Sequence, residues 1–130
     1  MDQQRKNKEL IINYVTAVSG VIKTRELVEN YMTDETLISH IGVFETAFPK
    51  YDLFIDEMTA EGNRVIIRAR VVGTHLGELG GIAPTFKTVD FPVIVAYEIE
   101  NEKIISHWML ADQMKLMEQL GVIATPEAAH

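Results

Sequence analysis

The sequence predicts an α+β protein in which several helices precede a four-stranded, mostly antiparallel sheet. Up to about residue 48, apolar side chains recur at steps of three and four, which is the helical period. From residue 51 onwards the period becomes two, and short turns separate the alternating segments, as in consecutive hairpins. No repeat, low-complexity tract or linker interrupts the chain, so we expect one domain over 1–130 with a core from about 7 to 123.

Helical segments account for the first third of the chain. A stripe of apolar residues predicts a helix over about 7–18. Thr24 is the expected N-cap of a second helix, and Asp34 that of a further short turn. A last short helical piece is expected over 42–48, because Pro49 disfavours helical geometry at the residue before it.

Four strands are predicted in the remainder, and a helix follows the last of them. Turns are expected at 61–63 and 100–102, and a glycine-rich segment at 77–84 interrupts the sheet. The last strand ends at Asp112, where the final helix begins, and the tail from Ala124 is expected to fray. The strands are predicted over 51–59, 64–75, 86–99 and 104 to about 111.

Strand parity divides the side chains of the last strand between two faces. Residues of equal parity share a face, so Trp108, Leu110 and Asp112 are predicted to project together, and His107 to lie on the outer face. A carboxylate beside a large aromatic ring in a dry cavity has the ingredients of a proton-transfer site. The alternative for Asp112 is the N-cap of the final helix, where it would accept a hydrogen bond from a free backbone N–H. Both roles can hold at once.

Composition excludes several classes of protein. The net charge of −7 argues against binding of nucleic acid or of anionic membrane surfaces. The absence of cysteine excludes a disulfide framework, a thiol nucleophile and thiolate zinc sites, and it is compatible with a cytoplasmic protein. The polar N-terminus is unlike a signal peptide, and no stretch approaches the roughly 20 apolar residues of a membrane span.

Several short strings carry a resemblance to a known family. They are GTHLGEL (73–79), IAPT (82–85), VDFP (89–92) and KIISHW (103–108), followed by Asp112 and QLG (119–121). Together they resemble the SnoaL-like polyketide cyclases of the NTF2-like superfamily, which also includes ketosteroid isomerases. The likeness extends over about residues 7–123, and its diagnostic part is 73–121.

The resemblance implies an NTF2-like cone, in which a curved sheet wraps around the N-terminal helices and leaves a pocket for a small apolar ligand. It also implies a homodimer packed through the outer sheet face, and no metal or organic cofactor. In such cyclases an aspartate at the place of Asp112 acts as general acid and base in an intramolecular aldol closure. Tyr14 and His40 match positions that line the pocket. Glu98 departs from the pattern, because the cyclases tend to carry His or Arg there.

The predicted function is therefore cofactor-free acid/base chemistry, an aldol step or an enolisation, on a small apolar carbonyl compound. Asp112 would move the proton, and His75 would stabilise the enolate oxygen. A metal site is disfavoured because parity separates His107 from these two residues. One alternative is a ligand-binding protein without chemistry. Another is an enzyme like a ketosteroid isomerase or an epoxide hydrolase, which a second carboxylate at Glu98 or Asp52 would favour. Predicted substrate contacts are Tyr14, His40, Trp108 and Glu98.

Overall fold

The structure, a computed structural model, describes residues 2–123 of the chain. Helices precede a curved four-stranded antiparallel sheet, so the predicted α+β, NTF2-like class is confirmed. The tail expected to fray, from Ala124, lies outside the described residues. The helices are α1 (Asp2–Val18), α2 (Arg25–Glu29), α3 (Glu35–Ala47) and α4 (Gln113–Leu120). The strands are β1 (Asp52–Glu61), β2 (Arg64–Thr74), β3 (Thr88–Glu100) and β4 (Lys103–Ala111).

The four strands pair in the order β1–β2–β3–β4, so each strand lies beside its neighbour in sequence. In the 13-residue β3, the odd-numbered side chains from Val89 to Ile99 are buried, and the even-numbered ones are exposed or half-buried. Because successive side chains of a strand point to opposite faces, the sheet has an inner face that faces the helices and an outer face. Large apolar side chains remain exposed on the outer face.

Side-chain caps begin the helices α2 and α3. The Oγ1 of Thr24 accepts a hydrogen bond from the Leu27 N–H at 3.2 Å, and the Oδ1 of Asp34 accepts one from the Leu37 N–H at 3.1 Å. Each cap satisfies a backbone N–H that has no partner within the first turn, and such a cap stabilises a helix by about 1 kcal/mol. The predicted N-caps Thr24 and Asp34 are confirmed.

Helix α3 differs from its prediction, since 35–47 forms one helix and not a turn followed by a separate piece. Gly42 lies inside this helix, and a Cβ there would meet nothing within 4 Å. One glycine costs a helix about 1 kcal/mol relative to alanine. Burial of Leu37, Ile38 and Ile41 against the core outweighs that cost. One continuous wall along the sheet is the result.

A β-bulge in β4 shifts the alternation of its side chains by one position. Ile104 pairs with Ile99, but the next paired residue is Ser106, opposite Glu98, so Ile105 has no partner in the register. An extra residue on one strand exchanges the faces of all residues beyond it. Ile104 is therefore buried from an even position, whereas beyond the bulge the odd positions turn inward.

Within residues 2–123, no helix combines the length and the apolar composition needed to cross a bilayer.

Candidate functional site

A cavity of about 270 Å³ lies between the inner face of the sheet, α3, α4 and the loop over 76–87. Its walls are mainly aliphatic and aromatic. Leu37, Ile41 and Phe44 come from α3, and Leu79 and Ile82 come from the loop. The carboxyl end of β4 lies beside the amino-terminal half of β3, and α4 begins there, so side chains of strand, helix and loop meet around one space.

Three tyrosines bring phenolic hydroxyls to this cavity. Tyr14, Tyr51 and Tyr97 all line it and are at most 8% exposed. Among residues 2–123, none of their hydroxyls has a hydrogen-bond partner. Within the same residues, the Nε2 of His75 is the only side-chain polar atom that has neither a hydrogen-bond partner nor accessible surface. Each hydroxyl therefore touches open space, and the cavity is the space that all three line. Burial raises the pKa of each phenol, so the three remain protonated donors at neutral pH.

His40 lines the cavity from α3, as the resemblance implies. Its ring stacks on that of Phe44, with centroids 6.5 Å apart. Burial, and to a smaller degree the nearby His107, lowers the pKa of His40 below its ordinary value of 6.5. The imidazole is consequently neutral at pH 7 and can accept a proton. Gln113 adds an amide at the start of α4. Within the described residues, the lining contains no Asp, Glu, Lys or Arg.

Asp112 is the N-cap of α4, which is the alternative role that the sequence indicated for it. Its Oδ1 accepts a hydrogen bond from the Lys115 N–H at 3.0 Å, and the residue is exposed and absent from the cavity lining. The premise that Asp112 projects with Trp108 into a dry hollow is therefore wrong. Its catalytic role stays a prediction, to which the observed position lends no support.

His75 is completely buried but does not line the cavity. Its Nδ1 accepts a hydrogen bond from the Thr85 N–H at 3.1 Å, and the Thr85 hydroxyl lies 3.0 Å from the same nitrogen. Its ring stacks on Phe48 at 5.2 Å between centroids. Backbone bonds between His75 and Phe86 and between His75 and Lys87 close the same loop. His75 thus holds the base of the loop that walls the cavity, and its predicted catalytic role remains untested.

Trp108 and Glu98 lie on the outer face of the sheet, against the prediction that they line the pocket. Trp108 is 59% exposed, and Glu98 is exposed with its carboxylate 3.4 Å from the Ser106 hydroxyl. Trp108 faces outward because the bulge at Ile105 exchanges the two faces of β4 for all residues beyond it. For Glu98 the reason is the even parity that all outward side chains of β3 share. Asp52, the other carboxylate considered, accepts a hydrogen bond from Ser19 and does not line the cavity.

His107 takes the opposite position to its prediction and faces inward. Its Nδ1 lies 2.6 Å from the Oδ2 of Asp34, and both side chains are largely buried. Asp34 therefore caps α3 with one oxygen and holds β4 with the other. Within the described residues, no three His, Asp or Glu side chains are arranged to hold a metal ion.

Sequence reasoning missed Tyr51 and Tyr97 as polar groups of the cavity. A signal for Tyr97 existed, because it shares the parity of Val93 and Val95 in an apolar alternation. A buried tyrosine on an apolar face needs a partner for its hydroxyl. No comparable signal marked Tyr51, whose inward direction depends on contacts with the segment before α2.

Comparison with known proteins gives the family. Residues 21–120 match the family model described as SnoaL-like polyketide cyclase. The chain belongs to the SnoaL-like polyketide cyclase family. No individually curated protein matches it significantly by sequence.

Solved structures share the fold of this SnoaL-like chain at low sequence identity. AclR, a candidate hydroxylase from Streptomyces galilaeus, has a TM-score of 0.81 and 22% identity, over 94% of this chain and 85% of that one. A candidate SnoaL-like polyketide cyclase from Jannaschia sp. CCS1 has a TM-score of 0.79 and 21% identity, over 95% of both chains. IdmH, a candidate polyketide cyclase from Streptomyces antibioticus, has a TM-score of 0.73 and 17% identity, over 88% of this chain and 98% of that one.

Proposed function

We propose that this SnoaL-like protein binds an uncharged, largely apolar small molecule with a carbonyl or hydroxyl oxygen in the cavity between α3, α4 and the sheet. One observation carries the proposal. Three phenolic hydroxyls open onto a mainly apolar space and have no partner among residues 2–123. A ligand oxygen would accept the hydrogen bond that a phenol can donate, and the aromatic walls would cover the rest of the ligand.

The charge of the lining favours neutral ligands. The phenols are protonated and His40 is uncharged at pH 7, because burial raises the pKa of the former and lowers that of the latter. A ligand carboxylate or ammonium would lose its hydration on entering and would meet no counter-ion on the described lining. That loss costs several kcal/mol, on the order of a hundredfold or more in affinity.

Calorimetric binding of matched naphthalene probes tests this proposal. We expect 2-acetylnaphthalene to bind, and 2-naphthoate to bind at least about 100-fold more weakly at pH 7. Val93→Phe places a ring in the cavity and should abolish binding, since Val93 is a buried lining residue. Glu100→Phe, on an exposed position of the same strand, is its control. Equal binding of the two probes, or unchanged binding by Val93→Phe, would contradict the proposal.

Acid/base chemistry is the second candidate function, and His40 is the observation that favours it. A neutral imidazole at the cavity wall can remove a proton alpha to a ligand carbonyl. A tyrosine hydroxyl that donates to the carbonyl oxygen would stabilise the enolate. The proton then returns to carbon in an enolisation, or to the new alkoxide in an intramolecular aldol closure. No step requires a cofactor, and the family of the chain supports this class of reaction.

Deuterium exchange at the alpha carbons of 2-tetralone, followed by NMR, tests the base. His40→Asn should slow protein-dependent exchange about 100-fold. Asp112→Asn retains a good helix cap and should leave the rate within about twofold. For wild type the rate should be constant above pH 6.5 and fall as the pH decreases through the lowered pKa of His40. Loss of exchange in Asp112→Asn with retention in His40→Asn would instead favour the sequence-based prediction for Asp112.

We also propose a homodimer that packs through the outer sheet face of a cytoplasmic protein. Trp108, Leu110 and Ile94 expose 59%, 59% and 40% of their surface there. A contiguous apolar patch on a sheet is typical of an interaction surface. Sedimentation velocity at micromolar concentration tests the dimer, and a monomer would contradict it. The absence of cysteine is compatible with a reducing compartment.

A further inference from the structure

Tyr51 is held through both its backbone carbonyl and its ring. Its carbonyl accepts hydrogen bonds from the Gly20 N–H at 3.0 Å and from the Lys23 Nζ at 2.7 Å. Its ring meets that of Phe44 edge-on, with centroids 5.1 Å apart. These contacts position the ring, and its hydroxyl, which has no hydrogen-bond partner among residues 2–123, opens onto the cavity that the residue lines.

Lys23, in the segment before α2, is a buried charge that the proposed chemistry has not used. Its side chain is fully buried, and its Nζ has three acceptors: the Val21 carbonyl at 2.9 Å, the Tyr51 carbonyl at 2.7 Å and a Glu45 carboxylate oxygen at 3.3 Å. An ammonium has three N–H groups and an amine has two, so three acceptors match the charged form. Burial lowers the pKa of Lys23, and the Glu45 carboxylate opposes that shift.

The same Nζ lies over the face of the Tyr51 ring, 3.9 Å from its centroid. A cation on the ring face attracts the π electrons, which makes the phenolic hydroxyl a stronger donor. It also stabilises negative charge that develops on an oxygen bound to that hydroxyl. Among the described residues, neither Tyr14 nor Tyr97 has a cation over its ring. The Tyr51 hydroxyl is therefore a stronger hydrogen-bond donor than those of Tyr14 and Tyr97.

We propose that Lys23 is a positioning residue for Tyr51, and that Tyr51 is the principal donor to the ligand oxygen. The proposal rests on the proposed binding function, since it needs a ligand whose oxygen enters the cavity. It specifies the orientation of that ligand, with the oxygen towards the segment that joins α1 to α2 and the apolar part towards α4.

Binding of 2-acetylnaphthalene and of its carbonyl-free analogue 2-ethylnaphthalene tests the proposal. Tyr51→Phe should weaken ketone binding about tenfold, and Tyr14→Phe or Tyr97→Phe less than about threefold. Lys23→Met should weaken ketone binding about fourfold and reduce the infrared red shift of the bound carbonyl, with no change for 2-ethylnaphthalene. In the Tyr51→Phe background, Lys23→Met should have no further effect. Lys50→Met removes an exposed lysine nearby and serves as the charge control.

The outcomes separate this proposal from the binding function. Ketone binding by wild type with equal losses in the three Tyr→Phe variants would overturn only the proposal, even if Lys23→Met failed to fold. If Lys23→Met weakened the binding of the ketone and of the hydrocarbon equally, the role of Lys23 would be structural only, and the proposal would be wrong. Binding of neither probe by wild type would contradict the binding function itself.

Discussion

The two faces of the sheet have the same strands and opposite chemistry. The inner face carries phenols, aliphatic side chains and no charge around the cavity. On the outer face, arginines of β2 pair with carboxylates of β1 and β3, Arg68 with Glu57 and Arg70 with Asp90. The same face carries an apolar patch on β3 and β4. Every carboxylate predicted to be catalytic lies outside the cavity. The proposed chemistry on the inner face would therefore depend on neutral donors and on the uncharged imidazole of His40.

The largest expected effect on stability is that of a carboxylate introduced on the inner face, compared with one introduced on the outer face. Val89 is 1% exposed, and its neighbour Thr88 is exposed on the same strand. Val89→Asp should destabilise the fold by about 4 kcal/mol, because an unpaired carboxylate loses its hydration. Thr88→Asp should change the free energy of unfolding by less than about 0.5 kcal/mol. Urea denaturation of both variants measures the contrast, and similar values would show that the two faces are not distinct.

The next effect concerns the apolar patch of the outer face. If two copies pack through it, Trp108→Ser should weaken the dimer about 30-fold or more, because tryptophan is enriched among the residues that contribute most to interface affinity. The change should leave ligand binding intact, since Trp108 does not line the cavity. Phe54→Ser, on the charged side of the outer face, is the matched control. Sedimentation equilibrium measures both, and equal effects would place the dimer contact elsewhere.

Local pattern predicted α1, α2, α4, the hairpin order and the caps at Thr24 and Asp34, because these depend on neighbours a few residues apart. It divided α3 into two pieces, because burial against the core outweighs the cost of Gly42 within that helix. The faces of β4 could not be predicted in this way. A bulge at Ile105 arises from pairing with β3, and one unpaired residue exchanged the positions expected for His107 and Trp108. Tyr14 and His40, which the resemblance implies as pocket residues, both line the cavity. Their roles in binding remain predictions.

Burial of the tyrosines on the inner face should also make the free energy of unfolding depend on pH above pH 10. Burial raises the pKa of Tyr14, Tyr51 and Tyr97 above the ordinary value of 10.0, so the unfolded chain loses these protons first. Stability is fully present below pH 10 and is lost as the pH rises towards the folded-state values, by about 1.4 kcal/mol per pH unit for each tyrosine. Tyr97→Phe should remove about one third of that slope. Urea denaturation between pH 9 and 11 measures it, and an unchanged slope would mean that the phenol is not shielded.

The smallest effect distinguishes the two roles of Asp112. A cap needs an acceptor oxygen, whereas a general base needs an ionisable carboxyl. Asp112→Asn keeps the acceptor for the Lys115 N–H and should change stability by less than about 0.3 kcal/mol, but Asp112→Ala should cost about 1 kcal/mol. Thermal denaturation of the pair gives the stability part, and the 2-tetralone exchange rate gives the chemical part. If Asp112→Asn were as stable as wild type yet inactive, the carboxylate would have to leave its cap and turn towards the cavity during the reaction. Because Asp112 is exposed and does not line the cavity, we expect full exchange activity in Asp112→Asn.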